Sequence, residues 1–350
     1  MTLVGSISRV NSGWVALTDV LVTPETYQEK PSGFLPLQTG FSFGNVTRGS
    51  RLGSKSAISG NNLFLWADSR IFAGRAIRKL CEKPIKSQEE FLEALEVLDD
   101  TERDEVALHW YYREDEIIRG GFFDRKNDET FRSFADWDFL SSGTGAEDFI
   151  NLEPPYLKGE GGDKDLRSAS VSGVLAHILV NLFHREFYVP VHQFQGYGGF
   201  YEIFLPYERD GFRRAIYSVT EYSTRDHLGG IDTGLFDITR FLKYIPVGNG
   251  AVVFVGVGRP KEYGDFSPLF DQTWILPISV RDEEVAKLDI HSALCLEEDF
   301  SLNYSVLGAT DYFFGNDPGI RFSIEGSGIK AEKDLDGFHK MLERQKSWMS

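Results

Sequence analysis

Cysteine is scarce in this chain. Cys81 and Cys295 are the only two among 350 residues, and they form no C-x-x-C. Two cysteines make no disulfide framework, and a reduced, cytoplasmic setting is the expectation. The seven histidines are scattered, with neither H-x-x-x-H nor H-E-x-x-H among them, so no metal site is expected. No run of about 18 apolar residues occurs, and no segment is expected to span a bilayer. The first residues, MTLVGSISRVNSGW, hold no basic stretch leading into an apolar one, so no secretory signal is expected. Positive charge is also short: 37 Lys and Arg stand against 53 Asp and Glu, a net −16. Such a surface repels phosphate backbones and anionic membranes, which excludes both as general partners.

Apolar and aromatic residues are plentiful. The chain is 41% hydrophobic, with 28 Phe and 14 Tyr. That suffices for one large core or two smaller ones and excludes a disordered chain. Residues 2–8 and 13–20 are expected as strands around an Asn11-Ser12-Gly13 turn. The run Trp14-Val15-Ala16-Leu17 is continuously apolar, as in a strand covered on both faces. A long Gly, Pro, Ser and Thr-rich loop fills 24–54, and a strand follows at 62–66. Ala73, Ala76, Ile77 and Leu80 then give one apolar helix face, ended at Pro84. Ser87-x-x-Glu90 is a capping box that opens a second helix through Leu98.

Beyond it the period changes to two. Strands are expected at 106–112, 117–123 and 131–139, the last running into Ser142-Gly143-Thr144-Gly145. The stripe Val171, Val174, Leu175, Ile178, Leu179, Leu182 is a buried helix. Strands at 200–205 and 213–219 flank an Arg209-Asp210-Gly211 turn. A short helix is expected at 235–243, strands at 251–257 and 273–280, and a closing helix through Leu335, Phe338 and Leu342. Gly256-x-Gly258 lacks a third glycine and meets Pro260, so it is no nucleotide loop, and no cofactor is expected. Strand blocks with helix pairs, rather than alternating β and α, suggest packed sheets with helices outside them.

Three residue types that could act together stand in order: Thr2 near the chain start, Asp19 at the end of an apolar strand, and Lys55 just before another strand. A threonine hydroxyl is a weak nucleophile at neutral pH. A free α-amine, with an ordinary pKa of roughly 7.7–8.0, can act as its base. A nearby ammonium favours the ionised nucleophile, and a carboxylate keeps that ammonium charged and oriented.

These residues sit in motifs whose order resembles proteasome β-subunits and their bacterial homologues, which are Ntn-hydrolases. Thr2-Leu3-Val4 followed by Gly13-Trp14-Val15-Ala16-Leu17-Thr18-Asp19 resembles the family's Thr-led first strand and its second strand ending in Asp. Thr23 stands four residues after Asp19, as in the family's D-x-x-x-T, and Lys55 resembles the family lysine. Asn62 to Ala67 resembles the strand that ends at the oxyanion-binding backbone. Gly143-Thr144-Gly145 is similar to the family's Gly-Ser-Gly, and Tyr197-Gly198-Gly199 to its Ser-Gly-Gly. The resemblance ends near residue 220. It implies an α+β fold, the four-layer αββα sandwich of a proteasome-type subunit over 1–249, with a strand-rich C-terminal extension over 250–350.

The resemblance also implies a function. Removal of Met1 exposes Thr2, whose hydroxyl attacks an amide carbonyl of a peptide or small amide. Thr2, Asp19, Lys55 and Thr144 are then catalytic, while Thr23, Ala67 and Asp68 bind substrate, the last two through the oxyanion. A homo-oligomer is implied, with an ATPase as a candidate partner. The chain departs from the family at Asp68, where a glycine is usual, at Tyr197 in place of serine, and at Phe194 in place of aspartate. These departures carry the second expectation, a proteasome-like scaffold or binding protein without peptidase activity.

Overall fold

A computed structural model describes residues 3–9, 13–22, 51–124, 129–133, 138–152, 171–188, 200–224, 236–257, 272–305, 308–315, 320–325 and 328–334. Thr2, Thr23, the 24–50 stretch, Phe194, Tyr197 to Gly199, Gly258 and the expected closing helix lie outside the described residues. The chain is a sheet-rich α+β protein with two compact units. One comprises Met1–Ile178 with Arg185–Arg214, the other Leu179–His184 with Ala215–Ser350.

The first unit holds two five-stranded antiparallel sheets. One has the order β10-β1-β2-β11-β12, built from β1 (Val4–Arg9), β2 (Gly13–Asp19), β10 (Asp138–Ser142), β11 (Tyr201–Pro206) and β12 (Phe212–Arg214). The other runs β5-β6-β7-β8-β9 in order: β5 (Ser56–Ser59), β6 (Asn62–Asp68), β7 (Val106–Glu114), β8 (Ile117–Asp124) and β9 (Glu129–Ser133). A two-residue pair, β3 (Leu21–Val22) with β4 (Arg51–Leu52), stands apart.

Strand alternation sorts the side chains to two faces. Leu63, Leu65 and Ala67 of β6 join Ala107 and Tyr111 of β7 and meet Val4, Trp14, Ala16, Phe204 and Phe212 of the other sheet. The intervening residues Phe64, Trp66, Leu108 and Trp110 turn the opposite way, onto Ala73, Ala76 and Leu80 of α1 (Arg70–Leu80) and Phe91 of α2 (Gln88–Ala94). On β1, Gly5 lies against α4 (Ala146–Asn151): a Cβ there would come within 2.6 Å of the Phe149 ring. Glycine is needed at that point because the aromatic ring rests on bare backbone.

Two local expectations are refined. The capping box at Ser87 is half made: Glu90 N donates to Ser87 Oγ at 3.2 Å, but the Glu90 carboxylate accepts from Lys86 N. A complete box stands instead at Asp99, ahead of α3 (Asp100–Asp104), where Glu102 N donates to Asp99 Oδ1 at 2.9 Å and Asp99 N to Glu102 Oε2 at 3.1 Å. The single strand expected over 131–139 is two strands, β9 and β10, in different sheets. A two-residue period continues across a change of sheet, so it cannot mark one.

The second unit carries a six-stranded mixed sheet of order β16-β15-β14-β13-β17-β18. Its strands are β13 (Tyr217–Thr224), β14 (Phe236–Val247), β15 (Gly250–Val257), β16 (Gln272–Ile278), β17 (Phe300–Ser305) and β18 (Gly308–Gly315). Among the described residues, only β13 and β17 pair in parallel, with Tyr217 opposite Phe300. Their rings stack at 5.3 Å, as do those of Tyr217 and Tyr244. Phe183 of α5 (Val171–Tyr188) meets Tyr217 at 6.5 Å. One apolar cluster joins Tyr222, Ile238, Phe241 and Phe254 with Leu294 of α7 (Ile290–Leu294) and Ile320 of β19 (Ile320–Glu325). A short α6 (Asp282–Lys287) precedes α7, and β20 (Gly328–Lys333) pairs with β19.

The helix expected at 235–243 is strand β14. Leu235, Ile238 and Leu242 fit a helical stripe, but residues 241–245 are all buried. Burial on both faces with aromatic and branched residues favours an extended chain. The division placed at 249/250 falls in the turn of the β14–β15 hairpin, where Val247 pairs with Gly250. The second compact unit takes up the chain from Ala215 onward, together with Leu179–His184.

Candidate active site

The end of β2 meets the chain just ahead of β1. Asp19 N donates to Leu3 O at 3.0 Å, and Leu3 N donates to Asp19 Oδ1 at 2.7 Å. Thr18 Oγ1 also donates to Leu3 O, at 3.1 Å. Lys55 approaches through two backbone ties: Gly53 N donates to Val20 O at 2.8 Å, and Trp66 N to Lys55 O at 3.1 Å. Its ammonium Nζ lies 2.8 Å from the same Asp19 oxygen that holds Leu3. Asp19 and Lys55 are 0% and 1% exposed.

One carboxylate oxygen thus holds the amide of Leu3 and a buried ammonium together. Among the described residues, Asp19 takes one of the three N–H donors that an ammonium carries. Burial pulls the Lys55 pKa below the ordinary lysine value, opposed by the charge and hydrogen bond of Asp19 and by the charge of Glu202.

Ala67 is buried at the end of β6, and Asp68 follows with φ +69°. That left-handed conformation is one glycine adopts freely and Asp tolerates better than most residues. The backbone therefore takes a glycine's shape while a carboxylate occupies the position. Asp68 is half-buried and Thr144 is exposed. Thr144 lies in the turn between β10 and α4, and neighbouring Gly143 has φ +87°. Ser142, just before that turn, pairs with Val4 in register. Thr2 and Thr23 lie outside the described residues, so the structure brings Asp19 and Lys55 together and gives no position for those two.

Several contributing groups escaped the sequence reading. Glu202 on β11 is fully buried beside Lys55. Its Oε2 accepts from Ser54 Oγ at 2.8 Å, Ser56 Oγ at 3.2 Å and Lys55 N at 3.3 Å. Its Oε1 accepts from Arg214 Nε at 3.1 Å. A carboxylate within the apolar run Phe200-Tyr201-Glu202-Ile203-Phe204 is a signal in itself, because ionised residues are rarely fully buried without a partner. His109 on β7 is the other. Its Nε2 lies 2.7 Å from Ser142 Oγ and its Nδ1 3.0 Å from Tyr111 Oη. Burial lowers its pKa to about 3, so the ring is neutral and ties the end of β10 to β7.

No protein-family model and no curated protein matches the chain. Among solved structures the chain is similar to Anbu from Hyphomicrobium sp. strain MC1. In one crystal form the identity is 12%, over 61% of this chain and 87% of that one, with a TM-score of 0.37. For a Gly-1 mutant of the same protein the identity is 13% over the same shares, with a TM-score of 0.39. Likeness at this level bears on neither activity nor assembly. Among the described residues, no helix is long and apolar enough to cross a membrane, and no cluster of three His, Cys, Asp or Glu could hold a metal ion.

Proposed function

We propose that the first unit is a proteasome-type Ntn-hydrolase domain and that Thr2, freed of Met1, is its nucleophile toward a peptide or small amide. The observation that carries this reading is the shared Asp19 oxygen. It holds the Leu3 amide, covalently next to Thr2, and a buried ammonium that, among the described residues, gives it one of three donors. A buried ion pair costs desolvation that apolar residues of similar volume would avoid. Its position beside the first strand has a use if the ammonium acts on a neighbouring group.

In the reaction, the Thr2 hydroxyl adds to the amide carbonyl while its own α-amine takes the proton. Lys55 lowers the cost of the charge developing on the hydroxyl oxygen, and Asp19 holds Lys55 in place. The backbone at Ala67 and Asp68 receives the oxyanion. The α-amine then protonates the leaving amine, which departs to give an ester on Thr2, and water hydrolyses that ester. The core between the two sheets, with α1 and α2 on one far side and α4 on the other, supports a four-layer αββα arrangement. A homo-oligomer belongs to the same reading.

The test is the intact mass of the purified chain together with hydrolysis of a panel of fluorogenic peptide amides. A species beginning at Thr2, with turnover abolished in Thr2→Ala, is the expected result. A homogeneous Met1 species, or turnover that survives Thr2→Ala, overturns the reading. One observation favours a non-catalytic scaffold instead: a carboxylate at Asp68 stands where negative charge would develop. If Asp68→Gly also hydrolyses nothing while the chain remains folded and assembled, the scaffold is the better account.

A further inference from the structure

Resting on the reading of Lys55 as the ammonium of a Thr2 site, we propose that Glu202, paired with Arg214, is a positioning residue that fixes Lys55 against Asp19. Lys55 immediately precedes β5, which is an edge strand of its sheet. Successive side chains of an extended segment point opposite ways, so Ser54 and Ser56 share one side and Lys55 takes the other. Both serine hydroxyls are held from that first side. Glu202 Oε2 accepts from each of them and from Lys55 N. Arg214 Nη2 lies 3.3 Å from Ser54 Oγ and 2.9 Å from Ser56 Oγ.

The clamp is itself rigid. Glu202 and Arg214 stand on paired strands β11 and β12, and the Arg214 Nε to Glu202 Oε1 bond is 3.1 Å. Their side chains are 0% and 7% exposed. Three successive residues leading into an edge strand are therefore gripped by a charged pair from the other sheet, which leaves the Lys55 side chain directed to Asp19. Among the described residues, the charged groups bonded to Lys55 or to the serines beside it are Asp19 from β2, Glu202 from β11 and Arg214 from β12. With Lys55 they are two positive and two negative groups, Lys55, Asp19 and Glu202 fully buried and Arg214 nearly so. Removing either member of the Glu202–Arg214 pair leaves this group unbalanced, in opposite senses.

That opposition supplies a test that general loosening of the fold cannot imitate. The full chain is prepared with lysine labelled at Cε and Nζ, and the Lys55 signal is assigned by its loss in Lys55→Arg. Its titration is then followed by NMR in wild type, Glu202→Gln and Arg214→Gln. The Lys55 midpoint moves to lower pH in Glu202→Gln, which removes a negative charge. It moves to higher pH in Arg214→Gln, which removes a positive one. Shifts in the same direction, or no shift in either variant, overturn the proposal. If Glu202→Gln does not fold, Arg214→Gln decides alone: an upward midpoint supports the role, and an unmoved or lowered one overturns it.

Hydrolysis provides the second readout. Glu202→Gln lowers kcat about tenfold or more with KM nearly unchanged, as for loss of a group that acts only in the transition state. A wild-type chain that hydrolyses nothing removes the Thr2 reading, while the two titrations still decide whether Glu202 governs Lys55. Active wild type with unmoved titrations removes the positioning role alone.

Discussion

His109 makes acid stability a direct probe of how the two sheets of the first unit are joined. The ring is fully buried, and its pKa falls from 6.5 to about 3 because burial disfavours the cation. A group with a depressed folded pKa contributes stability that is whole above its unfolded value and is lost as pH falls toward the folded one. From pH 7 to pH 4 the unfolded chain takes up nearly a full proton here that the native chain refuses. At about 1.4 kcal/mol per unit, that costs about 3 kcal/mol over this window. His109→Gln is the appropriate perturbation. Glutamine can still donate and accept between Ser142 Oγ and Tyr111 Oη, the partners of the imidazole, but it does not titrate. Urea-dependent amide exchange of β7 and β10 measures the opening of this unit separately from the other. The variant should lose about 3 kcal/mol less than wild type on acidification, since carboxylate titrations common to both cancel. Equal losses in the two proteins would refute a neutral, desolvated His109.

Two other perturbations test the packing around the candidate site. Asp19→Ala leaves Lys55 buried without its counter-charge and should destabilise the first unit by about 3–5 kcal/mol in urea denaturation. Adding Lys55→Met should recover a large part of that loss, because it removes the stranded charge; a double variant no better than Asp19→Ala contradicts the pairing. Gly5→Ala drives a methyl into the Phe149 ring and should cost about 1–3 kcal/mol, the range for overpacking a close-packed core. The same substitution beside Phe149→Leu should cost less, and equal costs in the two backgrounds would show that the ring does not set the limit.

The parts of this molecule legible in its sequence are those set by neighbours along the chain. The stripe from Ala73 to Leu80 announces α1, and the alternating faces of Leu63 through Ala67 follow from strand geometry. Asp19 and Lys55 stood out because each is a charge at the end of an apolar or strand-forming segment, where a sheet gathers chain ends. Leu235 to Lys243 misled because five apolar residues in nine satisfy a helical stripe as well as a strand buried on both faces. Only the pairing partners, β13 and β15, decide between those two. The His109–Ser142 tie was hidden for a related reason: it joins strands of separate sheets that are 33 residues apart in sequence.

Glu202 shows where local reading ends and topology takes over. A lone acid in the run from Phe200 to Phe204 says that a buried charge needs a partner, and nothing nearby in the chain names one. Its serine partners stand 148 and 146 residues away. What joins them is register: Tyr201 pairs with Asp19, and Glu202 with Thr18. A slip of one residue in β11 would exchange the faces of Tyr201 and Glu202. The carboxylate would then turn away from Ser54 and Ser56, and Arg214 would lose its counter-ion. The apolar residues of β11 hold the register through the core they fill, with Phe204 against the cluster of Trp14, Leu65 and Tyr111. The placement of the charges thus depends on side chains that carry none, and a core substitution such as Phe204→Ala should disturb Lys55 without touching it.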